Sequence, residues 1–264
     1  MKTMELRNIP QIDYAVNEAV NSLASNIIFS GSQFHTIMMT SCEANEGKSF
    51  VTFQLAQRLA GLGYSVALVD ADLRKSVFMP RYDAFAQEPV QGLTHYLAGR
   101  CTADQIEYQT NIPNLHMVPS GKTVINSLPL LTSPNFAALL QDLAARYHFV
   151  LVDAPPVGVI IDAAMIASVC DATLFTVTNE KVSRRALKAA VQQIQKTNCT
   201  VLGVVLNKVA LDNRKSKNYY YKSYYGHYGS GEYYTDSSKK RKSKKVKQAA
   251  EKANPTHHTP QVQK

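Results

Sequence analysis

Residues 36–50 read TIMMTSCEANEGKSF. Five residues, Thr36 to Thr40, form an apolar run with the length of a buried strand, a polar loop follows, and Gly47-Lys48-Ser49 opens a stretch of helical periodicity. A strand running through a loop of this kind into a helix is the layout of a phosphate-binding turn. Its backbone N–H groups cradle phosphate oxygens, its lysine reaches the β and γ phosphates, and its hydroxyl is offered to Mg²⁺. The first glycine usual in such loops is absent, since Cys42 stands five positions before Gly47. The loop alone is therefore matched equally by an ordinary helix start, and carboxylates elsewhere must decide.

They lie at the ends of later apolar runs. VALVDADLR closes a strand pattern with Asp70, Asp72 and Arg74, and FVLVDAPP closes another with Asp153, before Pro155 and Pro156. In an open parallel sheet the carboxyl ends of the strands face one crevice, the same one the phosphate loop borders. Each aspartate could be a mere helix or turn cap, but three of them ending hydrophobic strands in a chain with GKS point to one site. Phosphoryl transfer needs Mg²⁺ on the phosphates, positive charge on the developing oxyanions and an oriented nucleophile. Lys48, Ser49, Asp72 and Asp153 suit the first two requirements, which leaves Asp70 for the third.

Outward from this segment, short apolar runs alternate with amphipathic stretches between Thr36 and Asn207, the pattern of helices laid over a mostly parallel sheet. Strands are expected at Thr36–Thr40, Val66–Asp70, Leu115–Val118, Phe149–Asp153, Thr173–Thr178 and Val201–Leu206. Helices are expected at Tyr14–Phe29 and near 48–61, 135–146, 162–168 and 183–196, the last with Ser183 as its N-cap. The fold class is thus α/β, like a P-loop nucleoside triphosphatase, with a mostly parallel sheet flanked by helices and a disordered C-terminal tail. The organisation expected is a P-loop domain over 1–213, a tyrosine-rich flexible segment over 214–238 and a basic disordered segment over 239–264.

The 264 residues are 45% apolar and 19% charged, enough for one sizeable core, with a net charge of +9. Arg214–Lys264 holds 13 Lys/Arg against 3 Asp/Glu, and the rest holds 16 against 17. The basic charge belongs to the tail, which removes the support for a wholly cationic nucleic-acid binder. No apolar run approaches the ~18 residues of a spanning helix and MKTMELRNIPQIDY lacks the apolar core of a secretory signal, so a soluble intracellular chain is expected. Cys42, Cys101, Cys170 and Cys199 form no CxxC pair and read as reduced thiols rather than a zinc or disulfide framework. His257 and His258 read as surface residues.

YYYKSYYGHYGSGEYY, Tyr219 to Tyr234, carries eight of the fourteen tyrosines without one aliphatic residue, and KKRKSKKVK, Lys239 to Lys247, follows it. Neither has a pattern that could form a core.

Taken together, SNIIFS, EGKS, DADLR, DAPP, GVIIDAAMIASVCDA, LGVVLNK and the closing tyrosine cluster resemble the bacterial tyrosine kinases (BY-kinases) of capsule and exopolysaccharide synthesis, in the form whose cytoplasmic kinase is separate from its membrane partner. The resemblance spans about residues 14–234. It implies ATP and Mg²⁺ as cofactors, with nucleotide held by Glu46, Gly47, Lys48, Ser49, Phe50 and Asn207, the last contacting adenine. It implies metal held by Ser49, Asp72 and Asp153, catalysis by Asp70 with Lys48 and Asp72, and autophosphorylation of Tyr219, Tyr220, Tyr221, Tyr224, Tyr225, Tyr228, Tyr233 and Tyr234. The implied partners are a transmembrane polysaccharide chain-length regulator that activates the kinase and recruits it to the inner face of the cell membrane, a cognate tyrosine phosphatase, and further copies of the chain in its unphosphorylated state.

Three departures from the family pattern stand out. Ala44 and Asn45 replace proline and glycine in the loop, where Asn tolerates left-handed geometry. Ala154 replaces a hydroxyl residue. Glu18, Asn21 and Ala24 replace a Glu-x-x-Arg-x-x-Arg run, which puts the ring form of the oligomer in question. Two other functions share parts of the pattern: a positioning ATPase of the MinD/ParA type, whose loop carries a lysine where Glu43 stands, and a nucleotide-dependent scaffold without transfer activity. The basic run also offers contact to an anionic membrane surface, which eight phosphotyrosines, each adding about −1.5 to −2 charge, would oppose.

Overall fold

The computed structural model describes residues 2–209. The tyrosine cluster, the basic run and the expected boundaries near 213 and 238 lie outside the described residues.

The strands at the centre are those whose sequences are uninterrupted apolar runs. β2 (Thr36–Ser41), β3 (Val66–Asp70) and β7 (Phe149–Asp153) are buried at every position, as parallel strands covered on both faces must be. With β6 (Leu115–Val118), β8 (Ala172–Thr178) and β9 (Thr200–Asn207) they make a parallel block in the order β6-β3-β7-β2-β8-β9. All six expected strands are present, with ends shifted by at most one residue.

The sheet continues past β6 through three short strands the sequence did not betray. β5 (Tyr108–Thr110) runs antiparallel to β6, β1 (Lys2–Leu6) pairs parallel with β5, and β4 (Ala84–Phe85) pairs antiparallel with β1, for nine strands in all among the described residues. β1 buries only Met4 and Leu6, too little alternation to distinguish it from a loop. Its placement is made by tertiary bonds, among them Leu6 N–H to the Asn111 side chain at 2.9 Å.

One face of the sheet is covered by α1 (Tyr14–Phe29) and α2 (Lys48–Gly61), with Ala24, Ile27, Phe53, Leu55 and Leu59 in the core. The other is covered by α3 (Pro134–Arg146), α4 (Asp162–Ala167) and α5 (Arg184–Gln195), with Phe136, Leu143, Ile166 and Ile194. Ser183 caps α5 as expected, accepting from Ala186 N–H at 3.1 Å, and Asp13 caps α1, accepting from Val16 N–H at 2.8 Å. On α1, Asn21 donates to Glu18 at 2.9 Å and Ala24 is fully buried. All four cysteines are free, Cys42 and Cys199 buried. No helix among the described residues is long and apolar enough to cross a membrane.

Candidate active site

The site is assembled by register. β3 and β7 are neighbours with Asp70 directly opposite Asp153, and β2, on the other side of β7, runs into the loop that ends at α2. Gly47 caps α2 with φ 87°. A Cβ there would lie 2.2 Å from Asn207 Nδ2, so glycine is required both by backbone conformation and by space. Asn45 adopts φ 64°, the left-handed geometry that Asn accommodates.

Lys48 is the hub. Its ammonium lies 3.2 Å from Asp72 Oδ2, 3.2 Å from Asp153 Oδ2 and 3.3 Å from Ser49 Oγ. Ser49 Oγ donates to Asp153 Oδ2 at 2.6 Å, and Thr52 Oγ1 lies 3.3 Å from Asp153 Oδ1. Asp70 accepts from the Ser76 hydroxyl and, at 3.3 Å, from Asp72 N–H. Asp72 also accepts from Lys75 N–H at 3.0 Å. The residues expected to act on phosphate and metal are therefore gathered in one place.

The electrostatics follow from one cation facing three carboxylates. Burial works against the Lys48 ammonium, but Asp153, Asp72 and Asp70 outweigh it and raise its pKa. Asp70, with no exposed surface, is pushed up to about 7, first by desolvation and then by the charge of Asp153. Burial likewise raises Asp153 above the usual carboxylate range, against the pull of Lys48. Surplus negative charge on hard oxygen donors beside a hydroxyl suits a divalent cation such as Mg²⁺. No group of three or more His, Cys, Asp or Glu side chains is arranged to hold a metal among the described residues.

A cleft opens in front of this cluster, walled by Ala44, Asn45 and Gly47–Phe50 of the loop and helix start, by Asp72, Arg74, Lys75, Val77 and Arg81, and by Pro156, Val159 and Ile160. Phe50 is half-buried at its edge. Two expected nucleotide contacts are engaged elsewhere. The buried Glu46 carboxylate accepts from Glu43 N–H at 2.7 Å and Thr178 N–H at 2.8 Å, bracing the loop against the end of β8. The Asn207 amide donates to Glu46 C=O at 2.9 Å, tying the end of β9 to the same loop.

Several participants were not read from the sequence. Thr52 sits three residues after Ser49 on one helix face, a spacing that would have found it. Ser76 has no such signal, because the chain returns to Asp70 through an irregular loop. Arg74 donates from Nε to Asp162 Oδ2 at 2.9 Å and to Ser127 Oγ at 2.9 Å, and from Nη1 to Ile125 C=O at 2.8 Å. Ser127 also bonds Asp162, so the cleft-lining Arg74, the segment of Ile125 and Ser127 and the start of the helix at Asp162 are clamped together.

A glycine-capped helix start carrying Lys-Ser, opposed by aspartates at the ends of neighbouring parallel strands, defines a nucleotide-binding P-loop domain. Residues 35–204 match the AAA_31 family, described as an AAA domain. The chain is 35% identical over 192 residues to the tyrosine-protein kinase CpsD of Streptococcus agalactiae, an alignment covering 73% of this chain and 83% of that one. Among solved structures, the chimerical protein CapA2B2 superposes with a TM-score of 0.70 at 28% identity, over 79% of this chain and 94% of that one. The cell division ATPase MinD of Pyrococcus furiosus superposes at 0.56 and 22% identity over 68% and 74%, a likeness of fold alone. The chain belongs to the bacterial tyrosine-protein kinases. The positioning-ATPase alternative fits only distantly.

Proposed function

We propose that the chain transfers the γ-phosphate of Mg²⁺-ATP to the tyrosines of its own C-terminal cluster, Tyr219 to Tyr234, and thereby regulates the assembly that polymerises and exports a surface polysaccharide. The observation that carries the reading is the convergence of Ser49, Asp72 and Asp153 on Lys48. Bound Mg²⁺ would neutralise phosphate charge and hold the transferring group in line.

The protein's residues divide the remaining work. Lys48, now held by carboxylates, is free to exchange those ion pairs for phosphate oxygens, and the N–H groups at the start of α2 present positive potential to the same anion. Ser49, Asp72 and Asp153 are the groups that would hold Mg²⁺. Asp70, raised to about 7, suits a carboxylate that orients the acceptor phenol and takes its proton. The apolar wall of Val77, Pro156 and Val159 offers surface for the ring.

The partners follow the family: a transmembrane chain-length regulator whose cytoplasmic segment activates the kinase and brings it to the inner face of the membrane, a phosphatase that resets the tail, and other copies of the chain. With Ala24 fully buried and Asn21 bonded to Glu18, a homo-oligomer would form without the arginine contacts of the family pattern.

The test incubates the full chain with ATP, Mg²⁺ and the activator's cytoplasmic segment and maps phosphate by mass spectrometry. Phosphate confined to Tyr219–Tyr234 and abolished by Lys48→Met supports the reading. Phosphate outside the cluster, or retained in the Met variant, overturns it.

A further inference from the structure

α2 carries a second set of polar groups, on a face away from the phosphate loop. Gln54 and Arg58 lie one turn apart, so their side chains are neighbours, and both line a groove of about 590 Å³ bounded by the segment before α1, by α1 and by Ile112. Gln54 is 4% exposed. Its Nε2 and the Nε of Arg58 are both buried without a hydrogen-bond partner. Arg58 forms no ion pair among the described residues, and the groove lining contains no carboxylate.

Buried donors without acceptors are costly, and native proteins leave few of them. The position of Arg58 in the last turn of α2 accounts for a cation there, because the helix dipole favours one, but not for its dry, unpaired Nε. Both orphaned atoms are donors, and the guanidinium is a planar fork matched to a carboxylate. The remaining walls set an apolar strip of Ile9, Ile12, Val20 and Ile112 beside the neutral amides of Gln11, Asn17 and Gln57. A concave groove in which polar groups converge beside an apolar strip is a form that small-ligand sites take.

We infer that this groove binds a carboxylate carried on a short apolar body, the carboxylate accepting from Gln54 Nε2 and Arg58 and the apolar part lying against Ile9, Ile12, Val20 and Ile112. Such a group comes either as a free short-chain acid or as the end of a peptide with an apolar last residue. Gln54 lies six residues beyond Lys48, about 9 Å along the helix axis, so the ligand rests on the same rigid rod that presents Lys48 and Ser49.

The experiment titrates the full chain with isovalerate, with acetyl-Gly-Gly-Val and with its C-terminal amide, following backbone and side-chain amide resonances by NMR. Saturable shifts at Gln54 and Arg58 with either acid, none with the amide, and a loss of at least about tenfold in affinity in Arg58→Met support the site. The tighter of the two acids identifies the source. Gln54→Met, which keeps the volume, gives the same loss and serves if Arg58→Met does not fold. No saturable shift up to about 10 mM, where a ~1 mM ligand would be nearly saturated, overturns the inference, as does equal binding of the amide or unchanged affinity in the variants.

Discussion

Ser49 and Asp153, 104 positions apart in the chain, are joined by a hydrogen bond of 2.6 Å from the hydroxyl to the carboxylate. The bond ties the first turn of α2 to the end of β7 and places both groups beside Lys48.

Replacing Lys48 by Met removes the only cation among the described residues that touches both Asp72 and Asp153. Tyrosine phosphorylation is expected to fall by at least about 10²–10³-fold, the scale of losing one charge-stabilising group. Transfer between subunits is checked by mixing Lys48→Met chains with active chains lacking the tail, in the presence of the activator. Label on the Met chain shows transfer between subunits, and none shows transfer within one chain.

Asp70 gives the protein without metal and nucleotide a distinctive pH response. Its folded pKa of about 7 lies above the ordinary aspartate value of 3.8, so between those values the folded state holds the proton more firmly than the unfolded chain. Stability contributed by Asp70 is full below about 4, falls as pH rises and is lost by about 7. Chemical denaturation midpoints across that window should decline for the parent and flatten in Asp70→Asn. A parent profile identical to the variant's would refute the assignment.

Gly47→Ala places a Cβ at φ 87° and 2.2 Å from Asn207 Nδ2. The backbone conformation costs about 1–2 kcal/mol for a residue with a side chain, and the clash adds to it. Nucleotide affinity and melting temperature should both drop. Adding Asn207→Ala should recover the part due to the clash and leave the part due to φ, which the double-mutant cycle separates.

The clamp of Arg74, Asp162 and Ser127 is a structural support of the cleft. Asp162→Ala leaves the fully buried Ser127 hydroxyl and the Arg74 guanidinium without their carboxylate, an expected loss of about 1–3 kcal/mol. Urea denaturation should register the loss, and nucleotide affinity should weaken as the loop carrying Asp72 loosens. Unchanged stability would show the clamp to be dispensable.

Much of this was written in the sequence. The central strands are buried on both faces, which demands unbroken apolar runs, so VALVD and FVLVD announced themselves and their terminal aspartates marked the crevice. Gly47-Lys48-Ser49 was legible because a phosphate turn constrains neighbouring residues in a fixed order. What the sequence left open was set by contacts between distant segments. β1 exists because β5 and β4 supply its hydrogen bonds, Ser76 meets Asp70 through an irregular loop, and Glu46 turns inward to the N–H groups of Glu43 and Thr178. The unpartnered donors of Gln54 and Arg58 emerge only once α1 and the segment before it close over α2. Local pattern records which face of an element is buried; which side chains meet, and which buried groups are left unpaired, is settled only when the elements pack.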